Sequence, residues 1–247
     1  MTTSPADEGR DEHQVTDQDP GERSGARQDG GARASIVGTG LIGASIGIAL
    51  RQRGWWVSGV DSAPGLAERA VALGALDAEG FDDDADVVFV AIPVRASEAV
   101  LRDILGRPAR RPDTIVTDVG SVKGPVVASV DHPSFVGGHP MAGSEQVGMD
   151  GADGDLFVGA TWVLTPTALT DPMAYTRLRS VLVSLGATVV ALPPAQHDSL
   201  VAVVSHVPHL TAATLMDLAA GLSEEHAALL QLAAGGFRDM TRVAAGQ

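Results

Sequence analysis

The sequence predicts an α/β fold: a sheet of parallel strands joined by helices over residues 34–194, then an all-helical stretch over 195–247. Three observations carry this. Short apolar runs without alternation recur between segments of helical spacing, as in strands covered on both faces. The first run stops at a glycine-rich turn that opens a helix. Beyond residue 195, Ala and Leu dominate and strand patterns cease.

The elements follow in order. Residues 34–37 read as a buried strand, and 41–53 as a helix with Ile42, Ile46, Ala49 and Leu50 on one side and Gly54 past its end. A strand over 57–60 and a helix over 64–73 come next, the helix with Pro64 at its start and Gly74 after it. Strands over 87–91 and 114–117 alternate with helices over 96–105 and 123–130. Such alternation implies right-handed βαβ units and a parallel sheet. Strands over 161–164 and 188–192 flank a helix over 172–185, and the chain then reads as helix to its end. The last 50 or so residues are expected to pack on the sheet domain or on a partner chain, being few for an independent domain. Residues 1–33 are polar and charged with almost nothing to bury; they are expected to form a disordered tail outside the fold.

Composition narrows the function classes. The chain has 247 residues, 45% of them hydrophobic, enough for a real core. A net charge of −14 argues against nucleic acid or an acidic membrane surface as a partner. It does not exclude a small anionic substrate, because a few arginines can dominate a pocket. The sequence contains no cysteine, which rules out disulfides, thiolate metal sites and cysteine nucleophiles. No apolar core of the signal-peptide kind and no stretch of membrane-span length is expected, so a soluble cytoplasmic protein is the default reading.

Gly38-Thr39-Gly40-Leu41-Ile42-Gly43 fits G-x-G-x-x-G. The hexamer alone is weak, but here it follows a strand, opens a helix and precedes a second strand ending at Asp61. That context marks a Rossmann-type dinucleotide site. Gly38 allows the tight turn, Gly40 a close approach to pyrophosphate, and Gly43 close packing of helix on strand. The helix N-terminus offers free N–H groups to the phosphates. Asp61 is placed to accept hydrogen bonds from the adenosine ribose, and its charge repels a 2′-phosphate, favouring NAD over NADP. Ile92-Pro93-Val94 follows a strand end and either lines the nicotinamide pocket or is simply turn chemistry.

Four further segments hold candidate chemistry. Ser121 and Lys123 follow the strand over 114–117. His139 and Glu145 stand in a glycine-rich stretch, which places His139 on a ligand-binding loop. His206 and His209 are three apart on one helix face, with Pro208 expected to bend the helix. That spacing can bind metal, but no third ligand is evident and none is expected. Arg238 lies close to the C-terminus.

GTGLIGASIGIAL, TDVGSVKG, GGHPMAGSE, VVSHVPHL and AAGGFRDMTRVA stand in an order that resembles the prephenate/arogenate dehydrogenase family, over residues 34–245. The last four are the discriminating ones. The resemblance implies NAD-dependent oxidative decarboxylation of prephenate to 4-hydroxyphenylpyruvate, or of arogenate to tyrosine. It implies that His139 is the base that deprotonates the substrate hydroxyl, and that Ser121 holds that hydroxyl in register. Arg238 matches an arginine that grips a substrate carboxylate. Glu145 and His209 match residues bordering the pocket, while His206 and Lys123 shape its walls. Family members continue through helices that complete a homodimer and cover the pocket; ending at Gln247, this chain is expected to hold substrate weakly and to dimerise incompletely.

Two other readings compete. A Rossmann hydride enzyme of the β-hydroxyacid type would use a lysine on the helix near residue 195, and that helix has none. A truncated, inactive NAD-binding module would not need His139, Ser121 and Arg238 all to be present.

Overall fold

The computed structural model describes residues 31–107, 111–130, 132–143, 148–223 and 228–242. Chain contacts separate Met1–Gly30 from Gly31–Gln247, and the architecture below is that of the second unit. The expected tail thus falls largely outside the described residues. Its last member does not belong to it: Arg33 opens the first strand, pairs with Asp82 and lies over the ring of Trp56.

Apolar runs become strands, and those in the middle of the sheet are covered on both faces. They are β1 (Arg33–Val37), β2 (Trp56–Val60), β3 (Ala78–Glu79), β4 (Val87–Val90), β5 (Ile115–Asp118), β6 (Phe135–Pro140), β7 (Thr161–Thr165) and β8 (Thr188–Ala191). Between them run α1 (Leu41–Arg51), α2 (Leu66–Ala72), α3 (Val94–Gly106), α4 (Gly124–Ser129) and α5 (Pro172–Ser184). Strand order is β3-β2-β1-β4-β5-β6-β7-β8, so the chain reverses direction across the sheet at β1/β4, where ligands bind in doubly wound folds. Alternate residues face opposite sides. Ile36, Phe89, Ile115 and Val136 join one core with Trp162 and Leu178; Val88, Val90, Val116 and Phe135 join the other with Leu101.

Some expectations need correction. The sheet is not wholly parallel, because β6 pairs with β7 antiparallel. The connection between them therefore needs no crossover helix. The helix expected over 64–73 is shorter, because Gly65 sits at φ +78° ahead of α2, outside helical geometry. The two-residue β3 carries no apolar pattern of its own and went unpredicted.

The helical region begins at α6 (Pro194–Val201) and passes through a π turn (Ala202–His206) into α7 (Val207–Ser223). Pro208 has no N–H and its ring crowds the preceding turn, so the widened turn stands directly before it. Two short helices follow, α8 (Leu229–Leu232) and α9 (Gly235–Thr241), with α9 packed on α7. The stretch expected as helix to its end is helical among the described residues, but divided into several pieces. Pro194–Leu222 spans 29 residues, and an 18-residue window within it reaches a mean hydropathy of 1.4, long and apolar enough by length and composition to cross a membrane. The expectation of no such stretch is corrected: Thr and His are interleaved among Ala, Val and Leu, so the hydropathy emerges only when averaged along the helix. Many of its apolar side chains point outward, Leu210 66% and Leu218 60% exposed.

Candidate active site

The glycine turn between β1 and α1 is shaped by close approach. Gly38 has φ +95°, and a Cβ there would lie 2.3 Å from the carbonyl oxygen of Ala91. A Cβ on Gly43 would lie 1.9 Å from the Gly38 oxygen. At Gly40 a Cβ would meet nothing within 4 Å, so that side of the turn is open. No side chain caps α1, which leaves its N-terminal N–H groups facing the same opening. Leu41 and Ile42 are half-buried at the start of α1. Thr39 is fully buried and acts differently from its neighbours: its N–H and hydroxyl both donate to Asp61 Oδ2, at 2.7 and 3.1 Å. Burial would raise the Asp61 carboxyl, but bonds from the Ala63 and Thr39 N–H groups and the Thr39 hydroxyl hold it below its ordinary value. An ionised carboxylate therefore stands at the end of β2, beside the open turn. Ile92 and Val94 are half-buried and Pro93 exposed where β4 leads into α3.

The second cluster gathers at the far end of β5 and β6. Asp118 and Lys123 are fully buried and ion-paired. Asp118 also accepts from the N–H groups of Gly120 and Gly138, at 3.0 and 3.2 Å. Lys123 Nζ donates to the Gly138 carbonyl at 2.7 Å. Burial lowers the Lys123 pKa, and the Asp118 charge opposes that shift. The backbone immediately before His139 is thus held from both its N–H and its C=O.

His139 lies within β6, opposite Val163 of β7, not on a loop as expected. The surrounding glycines serve approach, not flexibility: a Cβ on Gly138 would lie 2.7 Å from the Asp118 oxygen and 2.9 Å from Thr117 Oγ1. His139 Nδ1 sits 2.9 Å from His197 Nε2, and His197 Nδ1 sits 2.7 Å from Asp198 Oδ1. Asp198 in turn accepts from the N–H groups of Lys123 and Gly124, both at 2.8 Å, and so closes the N-terminus of α4. Burial first, then the electrostatic influence of His197, Lys123 and His206, lowers the His139 pKa to about 4, against a smaller opposing pull from Asp198. A neutral, half-buried imidazole at a sheet edge suits a proton acceptor.

The remaining candidates are more scattered. Ser121 is exposed on the turn after β5, at the same edge as His139, with no hydrogen bond between them. His206 is half-buried in the π turn and close enough to affect His139. His209 is half-buried on α7. Arg238 is exposed on α9, and no hydrogen bond or ion pair joins it to the His139 cluster. Glu145 lies outside the described residues. No group of three potential ligand side chains stands together among the described residues. Sequence reasoning missed His197, Asp198 and Asp118. The adjacent His-Asp at a helix start was the only local signal for the first two.

Two family models cover most of the chain. Residues 46–191 match the model described as prephenate dehydrogenase, nucleotide-binding domain, and 193–247 the prephenate dehydrogenase, dimerization domain. A prephenate dehydrogenase of Bacillus subtilis (strain 168) is 37% identical over 221 residues, 85% of this chain and 59% of the relative. The chain thus spans about three-fifths of the length of that relative. Among solved structures, Synechocystis arogenate dehydrogenase is 39% identical with a TM-score of 0.70, covering 87% of this chain and 80% of that one. Prephenate dehydrogenase from A. aeolicus, in complex with hydroxyphenyl propionate and NAD+, is 32% identical with a TM-score of 0.80; the match covers 90% of this chain and 80% of that one.

Proposed function

The chain belongs to the prephenate dehydrogenase family, and from that membership we propose that it oxidises and decarboxylates prephenate to 4-hydroxyphenylpyruvate, using NAD, in tyrosine formation. The observation that carries this reading is His139: a neutral imidazole held rigidly in β6, at the sheet edge that also bears the glycine turn. Three strand spacings separate β1 from β6, about 14 Å, a span that an extended dinucleotide can bridge.

NAD fits the residues present. The open side of Gly40 and the uncapped start of α1 would receive the pyrophosphate, and Asp61 the adenosine ribose. Bound there, NAD supplies a hydride acceptor. His139 takes the proton of the ring hydroxyl as hydride leaves the same carbon, and the ring carboxylate departs as carbon dioxide. The proton returns to the phenolate oxygen, and aromatisation drives the step forward. Ser121 would hold the hydroxyl, and Arg238, with an exposed guanidinium fork, a substrate carboxylate. His206 and His209 would border the pocket.

Cofactor choice gives one test. The wild-type chain should favour NAD over NADP in kcat/KM by more than about tenfold, a repulsion of some 1.4 kcal/mol. Asp61→Ser should narrow the gap; equal efficiency of the wild type with both would remove the assignment. Arg238→Gln should chiefly raise KM, lowering kcat/KM by about 30- to 900-fold, or 2–4 kcal/mol. An unchanged KM would remove the clamp.

The 39% identity to an arogenate dehydrogenase supports a second substrate reading, in which the side chain carries an amino group. Assaying the purified chain with NAD and each substrate in turn decides between them; turnover of neither sinks both. A homodimer through the helical region is part of the proposal. The match to a dimerization domain supports it, as does an apolar groove lined by Leu215, Leu218, Leu222 and Phe237.

A further inference from the structure

We propose that His197 and Asp198 are positioning residues that decide which nitrogen of His139 is the base. The inference rests on the assignment of His139 as proton acceptor and adds the residues that set its tautomer. The Asp198 carboxyl is held below its ordinary value despite partial burial, by the Lys123 N–H, His197 and the Gly124 N–H. An ionised carboxylate only accepts hydrogen bonds. The 2.7 Å contact with Asp198 Oδ1 therefore places a proton on His197 Nδ1. A neutral imidazole with that proton presents a bare Nε2, and Nε2 is the atom 2.9 Å from His139 Nδ1. His139 must then donate from Nδ1, and its lone pair lies on Nε2. Among the described residues, Nε2 of His139 has no hydrogen-bond partner, so it is available to substrate.

The arrangement has a structural anchor. Asp198 binds the two N–H groups at the start of α4, and Lys123, one of these two residues, also holds the Gly138 carbonyl and Asp118. The His197 ring is completely buried and stands edge-on to His139, at 74° and 5.1 Å between centroids. The groups facing His139 are thus His197, Lys123, His206 and Asp198. When His139 takes a proton on Nε2, its Nδ1–H continues to bond to His197, and the Asp198 carboxylate faces the resulting positive charge through that ring. Without the pair, the His139 proton can sit on either nitrogen, and the wrong tautomer has no lone pair on Nε2.

The test uses the full chain with 15N-labelled histidine and no substrate. The His139 ring signals are assigned by their loss in His139→Asn. Wild-type His139 should show a protonated Nδ1 and an unprotonated Nε2 at pH 7. His197→Gln places an amide oxygen near the position of Nε2 and should preserve that tautomer, with kcat within about fivefold of wild type. His197→Leu offers no acceptor; it should give mixed His139 tautomers and lose about 10²-fold in kcat, with KM and NAD affinity little changed. Equal losses in Gln and Leu would reduce His197 to a packing role. A wild-type proton on His139 Nε2 would overturn the proposal outright, even if His197→Leu fails to fold. Because the spectra need no turnover, a chain inactive on both substrates would sink the functional reading and leave this one standing or falling on its own.

Discussion

Replacing His139 with asparagine is expected to lower kcat by about 10²–10⁴, the usual worth of a positioned general base. Binding of substrate and NAD should change far less, since asparagine keeps a polar group of similar reach in β6. The wild-type pH profile sharpens the test. His139 protonates at about 4 instead of its ordinary 6.5, so kcat/KM should stay level through the usual histidine range and fall only near that lower value. The variant should lack this acidic limb. Stability follows from the same shift. Between about 4 and 6.5 the unfolded chain binds a proton on this group that the folded chain does not. The folded state is therefore favoured fully above 6.5 and loses that advantage as pH falls toward 4. A variant with near-normal kcat would remove His139 from the chemistry.

The largest stability effect is expected at Lys123. Lys123→Met leaves the Asp118 carboxylate fully buried with two backbone donors and no counter-charge. Removing one partner of a buried pair costs about 3–5 kcal/mol. For a chain of this size that is a fall in Tm of about 6–20 °C. Adding Asp118→Asn to the same chain should recover part of the loss, because the uncompensated charge is gone. Denaturant melts of the single and double variants read both numbers. A single-variant loss under about 1 kcal/mol would show that the pair contributes little to holding β5 against β6. Activity should fall in parallel, since Lys123 also holds the carbonyl that precedes His139.

Much of the sheet was legible because its strands are buried on both faces. Val87–Val90 needs no partner to be recognised as a covered strand; its four apolar residues in a row are enough. Gly38 and Gly43 were legible for a related reason: each does a local job, in a turn and at a helix–strand contact, that any other side chain would obstruct. His139 was found but misplaced. Glycine on its N-terminal side reads locally as a loop, whereas those glycines admit the Asp118 carbonyl and Thr117 hydroxyl across the sheet. That requirement comes from a strand some 20 residues earlier, and no window around His139 contains it.

What the sequence determined by itself is the alternation of strands and helices over most of the sheet, the dinucleotide turn and a set of candidate side chains. These follow from periodicity and short-range sterics, which act between neighbours in the chain. What only the tertiary structure decided is how those side chains set one another's chemistry. Asp198 lies 75 positions from the Lys123 N–H it binds, and His197 lies 58 from His139. Whether a histidine is neutral, and which of its nitrogens holds the proton, depends on burial and on charges within a few ångströms. Those neighbours are brought there by the packing of α6 against α4 and β7, and distance in space, not spacing in the chain, governs their interaction.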